Sequence, residues 1–207
     1  MLKTLKLPVG FFGSNCYLAW DTENRQAVII DPGSEPDRIM AEVLERGLDV
    51  RYILNTHGHG DHIGANREIK EAYGAPLLIH QADALMLTDP ELNISAAFGI
   101  PVTSPAADRY LLPGEKVSFG SLGLEVLWTP GHTPGGVSFY GAGVVFTGDT
   151  LFCGSIGRYD LPGGNESLLV GSIKEKLHNL PHETLVLPGH GQNTTIGVEK
   201  NCNPFLI

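Results

Sequence analysis

Residues 57–62 spell His-Gly-His-Gly-Asp-His, and this hexapeptide constrains the fold more than any other part of the sequence. Its four metal-binding side chains are too closely and irregularly spaced to share one face of a strand or of a helix. The apolar run Tyr52–Leu54 precedes the motif and a helical pattern follows it, so we place it in a strand-to-helix loop. Gly58 and Gly60 should free the backbone to turn the side chains inward. The loop therefore predicts a metal site.

Three further segments each place one metal-binding side chain directly after an apolar strand pattern. These segments are Thr129-Pro-Gly-His132, Thr147-Gly-Asp149 and Leu187-Pro-Gly-His190. Loops at the ends of strands can hold ligands in a fixed geometry while one side stays open to substrate. Taken singly, the Pro-Gly-His segments would be interpreted as ordinary turns, and the aspartate as a capping carboxylate at a strand end.

The apolar patterns predict ten strands and three helices. The strands are Leu2–Leu7, Cys16–Trp20, Ala27–Ile30, Tyr52–Leu54, Pro76–Ile79, Lys116–Phe119, Leu124–Trp128, Val137–Tyr140, Val144–Thr147 and Thr184–Leu187. The helices are Glu35–Arg46 with Ser34 as its cap, Ile63–Tyr73, and Glu166–Asn179 capped by Asn165. Strands interrupted by helices favour a mixed α/β layered domain over a helical bundle or an all-β sandwich.

The composition of the chain disfavours several classes of partner and of cellular location. A chain of 207 residues usually forms one domain, and a formal net charge of -9 disfavours nucleic acid or an anionic membrane surface as the partner. The first residues lack the apolar core of a signal peptide, and no apolar run approaches the length of a membrane span. Three widely spaced cysteines suit reduced thiols, mostly buried, in a cytoplasmic protein.

Together these segments resemble the metallo-β-lactamase-fold hydrolases, and within them the glyoxalase II-like group. The resemblance extends from Asn15-Cys-Tyr-Leu and Asp31-Pro-Gly, through the histidine-rich loop, to Asn203-Pro-Phe. It implies a four-layer αββα sandwich, formed by residues 1–207 as a single catalytic domain, with two metal ions at one edge of the facing sheets.

The resemblance also implies a ligand set of seven residues. It assigns one metal ion to His57, His59 and His132, the other to Asp61, His62 and His190, and the bridging position to Asp149. Imidazole and carboxylate donors suit zinc, iron or manganese, and we expect two zinc ions. Two divalent cations would keep the site positive, which favours anionic substrates.

Such a site predicts hydrolysis. Two metal ions lower the pKa of a shared water from about 15.7 toward ~7, so that a bridging hydroxide can attack a carbonyl. Asp61 and Asp149 would then act in catalysis as ligands of that centre. The resemblance implies a small-molecule thioester, such as S-D-lactoylglutathione, as the substrate. A thiol has a reference pKa of about 8.5, so the thiolate can depart without protonation.

Arg158 is the candidate substrate-binding residue. It lies in a segment, residues 151–164, that resembles the part of glyoxalase II enzymes that contributes a basic residue to glutathione binding. A guanidinium there could pair with a glycyl carboxylate, and the alternative is a structural salt bridge. Because the sequence ends soon after His190, we expect no C-terminal helical glutathione-binding domain of the full-length enzymes.

Other reaction classes must be weighed against thioester hydrolysis. The chief alternative is a persulfide dioxygenase that holds one iron through His57, His132 and Asp149. β-Lactam hydrolysis is disfavoured, because lactamases of this fold generally have cysteine or serine where this chain has Asp149. Nuclease activity is disfavoured by the acidic balance. A non-enzymatic metal-holding module is also disfavoured, since structural zinc sites normally saturate one ion.

The remaining histidines and Asp31 are expected to lie outside the ligand set. His80 is expected to be structural or to orient a ligand, while His178 and His182 should be solvated near a helix end. Asp31 either orients a ligand histidine by a hydrogen bond or simply forms the Asp-Pro-Gly turn. Residues 88–108 are the loosest stretch and contain no interpretable motif.

Overall fold

Two six-stranded β-sheets form the centre of the molecule, in a computed structural model that describes residues 1–207. The first sheet has the order β1-β2-β3-β4-β5-β6. Its strands are β1 (Leu2–Val9), β2 (Ser14–Asp21), β3 (Gln26–Ile30), β4 (Asp49–Leu54), β5 (Leu77–His80) and β6 (Arg109–Leu111). Strands β3 to β6 pair in parallel, so their carboxyl ends meet at one edge.

The second sheet has the order β14-β13-β10-β9-β8-β7 and is antiparallel apart from the β10–β13 pair. Its strands are β7 (Lys116–Phe119), β8 (Leu122–Trp128), β9 (Val137–Gly141), β10 (Val144–Gly148), β13 (Leu185–Pro188) and β14 (Thr194–Thr195). A hairpin of β11 (Leu151–Phe152) and β12 (Ser155–Ile156) follows β10.

The helices lie on the outer faces of the sheets. They are α1 (Pro36–Glu45), α2 (Gly60–Ile63), α3 (Asn66–Tyr73), α4 (Glu166–Ser172) and α5 (Ile196–Cys202), with 3-10 helices at Gln81–Leu87 and Ala96–Phe98. Ile39 of α1 and Ile69 of α3 pack on the first sheet. Leu169 of α4 and Ile196 of α5 pack on the second. No helix has the length and apolar character needed to cross a membrane.

Alternating side chains divide the interior into layers. In β2, Tyr17 and Ala19 belong to the core between the two sheets, whereas Leu18 belongs to the core under α1 and α3. Phe139 and Phe146 contribute to the same inter-sheet core from the second sheet. A strand whose successive side chains point to opposite faces, both covered, is apolar throughout. The predicted αββα sandwich is therefore confirmed.

The predicted helix Ile63–Tyr73 is wrong as a continuous element, because the chain forms two helices separated by Gly64 and Ala65. The Ala65 N–H donates to the Pro32 carbonyl (2.9 Å). A side chain at Gly64 would overlap the Gly33 carbonyl. The break lets the Asp-Pro-Gly turn pack directly against the start of the second helix.

Two other helix predictions need correction at their ends. Ser34 does not cap α1, since the N-cap is Glu35 in a left-handed conformation (φ 54°), followed by Pro36 in the first turn. The third predicted helix is regular only to Ser172 and continues as a π-helix over Ile173–Leu177. Its cap is confirmed, because the Asn165 side chain accepts from the Leu168 N–H. The prediction of mostly buried cysteines is also wrong, because only Cys16 is buried.

Candidate metal centre

The four predicted ligand loops converge at one edge of the sandwich, and both sheets contribute to them. The hexapeptide follows β4 of the first sheet. His132, Asp149 and His190 follow β8, β10 and β13 of the second sheet. The rigid strands thus present residues that are remote in sequence to one small volume, as the predicted strand-end placement required.

The first cluster consists of His57, His59 and His132, whose donor atoms all lie within 4.8 Å of one another. His59 Nδ1 and His132 Nε2 are 2.9 Å apart. Two imidazole lone pairs at that distance repel unless a proton or a cation lies between them. The rings of all three histidines are buried and meet edge to face.

The second cluster consists of Asp61, His62 and His190. His190 Nε2 lies 3.3 Å from His62 Nε2 and 3.2 Å from Asp61 Oδ2. Asp61 Oδ2 is 3.5 Å from His62 Nε2. Ligand atoms about 2.0–2.1 Å from a tetrahedral zinc ion lie about 3.3 Å from each other. The spacing of this cluster therefore fits one ion.

The Asp149 carboxylate lies between the two clusters. Its Oδ2 is 3.6 Å from His132 Nε2 and 3.5 Å from His190 Nε2, while its Oδ1 is 3.4 Å from His62 Nε2. Asp149 Oδ1 and His57 Nε2 are buried and have no hydrogen-bond partner. Buried polar atoms are rarely left unpaired, so these orphaned acceptors fit a pair of cations shared by one carboxylate.

A buried carboxylate, Asp31, orients two of the histidines. It accepts from the Nδ1–H of His62 (3.1 Å) and from the hydroxyl of Thr56 (2.6 Å). Because the Thr56 hydroxyl donates to Asp31, its oxygen can accept from His57 Nδ1–H at 3.0 Å. Both rings therefore turn Nε2, the nitrogen that would bind a cation once deprotonated, toward the centre. Asp31 also has a left-handed backbone conformation (φ 51°) in the Asp-Pro-Gly turn. It therefore both forms the turn and orients a ligand histidine, so the two predicted roles are combined in one residue.

Two more ligands are held by hydrogen bonds that the sequence patterns did not indicate. The His132 Nδ1–H donates to the Arg158 carbonyl (2.7 Å), which leaves its Nε2 free to bind a cation. The Ser14 hydroxyl donates to Asp61 Oδ2 (2.8 Å). Both partners are distant in sequence from the ligands that they hold, so only the tertiary structure reveals them.

Asp83 joins two ligand loops and was missed by the sequence interpretation. This fully buried carboxylate accepts from the Gly58 N–H (3.1 Å), the Thr133 hydroxyl (2.6 Å) and the Gly135 N–H (2.6 Å). Gly58 lies between His57 and His59, and Thr133 and Gly135 follow His132. One carboxylate thus fixes the separation between the loops that supply the first cluster.

Hydrogen bonds from β2 of the first sheet hold the loop of His190 in place. Asn15 N–H donates to the Gly189 carbonyl (2.6 Å), and the Asn15 side chain and the Tyr17 hydroxyl both donate to the Pro188 carbonyl (2.9 and 2.8 Å). These contacts give a structural reason for the Asn15-Cys-Tyr segment of the family resemblance. A side chain at Gly189 would overlap Asp149 Oδ1.

The expectation that Gly58 and Gly60 serve backbone flexibility is wrong, because neither has a positive φ. The two glycines instead allow close packing. A Cβ at Gly58 would lie 2.6 Å from the Cβ of Met86, and one at Gly60 would lie 2.7 Å from the Cβ of Ser95. The hexapeptide is therefore pressed against residues 83–95 and has no room for side chains at these positions.

The two clusters differ in their affinity for protons. Burial lowers the pKa of His57 and of His59 well below the usual value, and the neighbouring histidines lower it further. Burial also opposes protonation of His62, but Asp61, Asp149 and Asp31 outweigh it and raise its pKa to about 10. Burial also lowers the pKa of His190, but its hydrogen bond to Asp61 and the charge of Asp149 together outweigh burial and raise it.

A pocket of about 490 Å³ opens over both clusters. Its lining includes His59, Asp61, His132, Asp149 and His190, together with the guanidinium-bearing Arg158. Arg158 makes a bidentate pair with Asp160, Nε to Oδ1 and Nη2 to Oδ2 both at 2.9 Å, and each side chain is 62% exposed. Both interpretations of Arg158 therefore have a structural basis, because the residue lines the pocket and also forms a surface salt bridge.

The histidines expected to stay outside the centre do so. His80 ends β5 and stacks on Trp128, with ring centroids 5.6 Å apart and an interplanar angle of 12°. His182 is exposed, but His178 is half-buried rather than solvated.

Comparison with known proteins agrees with this geometry. A family described as the metallo-beta-lactamase superfamily matches residues 9–190. The "Probable metallo-hydrolase YqgX" of Bacillus subtilis is 44% identical, over 99% of this chain and 98% of its own. The "Hydroxyacylglutathione hydrolase GloC" of Haemophilus influenzae is 39% identical, over 97% of this chain and 96% of its own.

Three solved structures are similar over almost all of this chain. The "BLEG-1 B3 metallo-beta-lactamase" is 40% identical with a TM-score of 0.94, covering 100% of this chain and 99% of its own. "TTHA1623 in a di-iron-bound form" is 40% identical with a TM-score of 0.88, covering 98% and 100%. "ETHE1 from Myxococcus xanthus" is 33% identical with a TM-score of 0.84, covering 98% and 83%.

We predict that Asp83→Ala loosens the first cluster. The substitution leaves three buried donors without their acceptor, so the free energy of unfolding should fall by about 3–5 kcal/mol. Metal affinity should fall by about 10–100-fold, as for other residues that orient ligands. Urea unfolding and metal analysis of the purified variant measure both effects. Asp49→Ala, which removes a carboxylate at the opposite end of β4, is the control, and equal behaviour of the two variants would contradict the role of Asp83.

Metal binding should release protons from the second cluster. At pH 7.5 His62 is protonated in the metal-free protein, whereas His57 and His59 are already neutral, so filling both sites should release about one to two protons. The affinity of the second cluster should rise as the pH increases from about 7 toward the pKa of His62. Calorimetry in buffers of different ionisation enthalpy counts the protons. Release of none at pH 7.5 would show that His62 is not a ligand.

Proposed function

This chain belongs to the metallo-beta-lactamase superfamily, and on that basis we propose that it is a metal-dependent hydrolase of thioesters, with S-D-lactoylglutathione as the candidate substrate. The observation that carries the proposal is the pair of three-donor clusters joined by the Asp149 carboxylate. The similarity to a hydroxyacylglutathione hydrolase supports the choice of a thioester. The donor set suits zinc, which we propose as the first candidate metal.

When bound, two divalent ions supply an activated water at neutral pH and polarise the substrate carbonyl. The chain's own contribution is to place and orient the donors. Asp31 and Arg158 hold the Nδ1 atoms of His62 and His132, and Ser14 holds the Asp61 carboxylate. Such fixed donors need little rearrangement during the reaction, which is the main source of electrostatic stabilisation in enzymes.

The leaving group is the second reason to favour thioesters. No lysine or tyrosine lines the pocket, and its histidines all belong to the two clusters. The pocket therefore offers no separate acid to protonate a departing amine. A thiolate departs without such an acid, because the reference pKa of a thiol is only about 8.5.

A persulfide dioxygenase reaction on a single iron is the second candidate. It would use His57, His132 and Asp149, and Asp149 lies 3.6 Å from His132. The similarity to a protein solved in a di-iron-bound form supports iron as an alternative metal. A mononuclear reaction leaves the second cluster without a role, which is why we rank it below hydrolysis.

The decisive experiment compares substrates on protein whose metal content has been measured. Thioester hydrolysis predicts about two metal ions per chain and turnover of S-D-lactoylglutathione without oxygen uptake. Asp149→Ala should lower the metal content and reduce kcat/KM by about 100-fold or more, because the clusters lose their shared carboxylate. Asp49→Ala should match the unaltered protein.

Three outcomes would contradict the proposal. About one iron per chain together with oxygen consumption on glutathione persulfide favours the dioxygenase. Faster turnover of a β-lactam such as nitrocefin than of any thioester favours a lactamase, as the similarity to a B3 enzyme suggests. Full metal content and activity in Asp149→Ala would show that the bridging assignment is wrong.

Arg158 should contribute modestly to binding of a glutathione carboxylate. Because the guanidinium is exposed and already paired with Asp160, Arg158→Ala should raise KM for glutathione thioesters by about 2- to 5-fold, with little change in kcat. Asp160→Asn, which frees the guanidinium, should lower KM. Steady-state kinetics at low ionic strength measures both. An unchanged KM in both variants would remove Arg158 from the substrate site.

A further inference from the structure

Three exposed phenylalanine rings line the pocket, and we call Phe11, Phe12 and Phe98 the aromatic cap. Phe12 lies edge to face with Phe11 (centroids 5.4 Å apart) and with Phe98 (5.1 Å). The rings come from two segments remote in sequence, the turn between β1 and β2 and the loop after Gln81–Leu87. They remain exposed, Phe11 by 90%, Phe12 by 44% and Phe98 by 50%.

The aromatic cap is continuous with the metal centre. Ser14, two residues after Phe12, donates to the carboxylate of Asp61. The loop that carries Phe98 is joined to the hexapeptide, because the Gly60 N–H donates to the Asn93 carbonyl (3.1 Å). The cap therefore lies on the Asp61 side of the pocket, whereas Arg158 lies on the His132 side.

Most of the apolar side chains that line the pocket belong to the two segments that carry the aromatic cap. Val9, Ile94, Ile100 and Val102 extend the apolar wall beside the cap. Arg158 is the only lysine or arginine among the lining residues, and Asp160 neutralises it. Exposed apolar patches of this kind mark ligand-binding grooves, and the volume of about 490 Å³ is in the range that holds a drug-sized molecule.

We propose that the aromatic cap binds the acyl group of the substrate, and that the preferred thioesters carry an apolar acyl chain of several carbons or an aromatic ring. The acyl group lies against Phe12 and Phe98 on the Asp61 side, and the polar thiol carrier extends past Arg158 toward solvent. This inference rests on the proposed thioester hydrolysis and deepens it by naming the acyl class.

The test is a series of acyl thioesters of one thiol, so that contacts of the thiol carrier cancel. For the acetyl, butanoyl and hexanoyl thioesters of glutathione, kcat/KM should rise by about 2- to 3-fold per methylene, or about 15- to 80-fold across the series, because each methylene is partly buried. In Phe12→Ala and Phe98→Ala the rise across the series should shrink to less than about 5-fold. Phe205→Ala, which removes a half-exposed ring outside the pocket, is the matched control and should keep the full dependence.

A second arm measures binding without turnover. The S-methyl, S-butyl and S-hexyl thioethers of glutathione cannot be hydrolysed, and their Kd on the metal-loaded protein should fall by the same factor per methylene. Thioester turnover that does not depend on chain length overturns the role of the cap and leaves the proposed hydrolysis intact. If no thioester is turned over, the proposed function fails, and the thioether series alone tests the role of the cap. A Kd that does not depend on chain length, or that Phe98→Ala leaves unchanged, would overturn that role.

Discussion

The candidate metal centre depends on two buried carboxylates, Asp31 and Asp83, that hold the ligand loops by hydrogen bonds. Asp31 holds His62 directly and His57 through Thr56. Asp83 ties Gly58 to the loop of His132. Each carboxylate is buried, which is costly unless its oxygens are satisfied, and each is satisfied by donors from the ligand loops. The ligand loops therefore supply the hydrogen bonds that the carboxylates need, and the carboxylates hold the loops in place. Any other arrangement of the loops would leave buried polar groups unpaired.

Much of this centre could be predicted from the sequence, because the ligands lie next to strong local patterns. The apolar runs before His57, His132, Asp149 and His190 indicated strand ends, and strand ends on a common edge converge. Asp83, Thr56 and Ser14 could not be predicted in the same way. Asp83 lies in a short 3-10 helix that no sequence pattern indicated, and only the folded chain brings it to Gly58 and Gly135. The role of the glycines in the hexapeptide could not be predicted either. They are needed for close packing against Met86 and Ser95, which is a property of the tertiary structure.

The wall of the pocket was the least predictable part of the molecule. Residues 88–108 have neither helical nor strand periodicity, and most of this stretch forms irregular structure with a single 3-10 turn. Val102 and Ala107 of this stretch pack against the core under the helices, and Phe98 meets Phe12 in the lining of the pocket. Strand ends determine what chemistry a fold of this kind can host, while irregular loops decide which molecule is admitted. Relatives with similar ligand loops can therefore differ in substrate.

The division of the ligand loops between the sheets has a consequence for stability. Each cluster takes donors from the hexapeptide of the first sheet and from a loop of the second. An ion bound in either cluster would be a cross-link between the two halves of the sandwich, comparable in topology to a disulfide. Because ions bind the folded chain and not separated loops, their free energy of binding would add to that of folding. Separation of the sheets and loss of the ions would then be a single cooperative event.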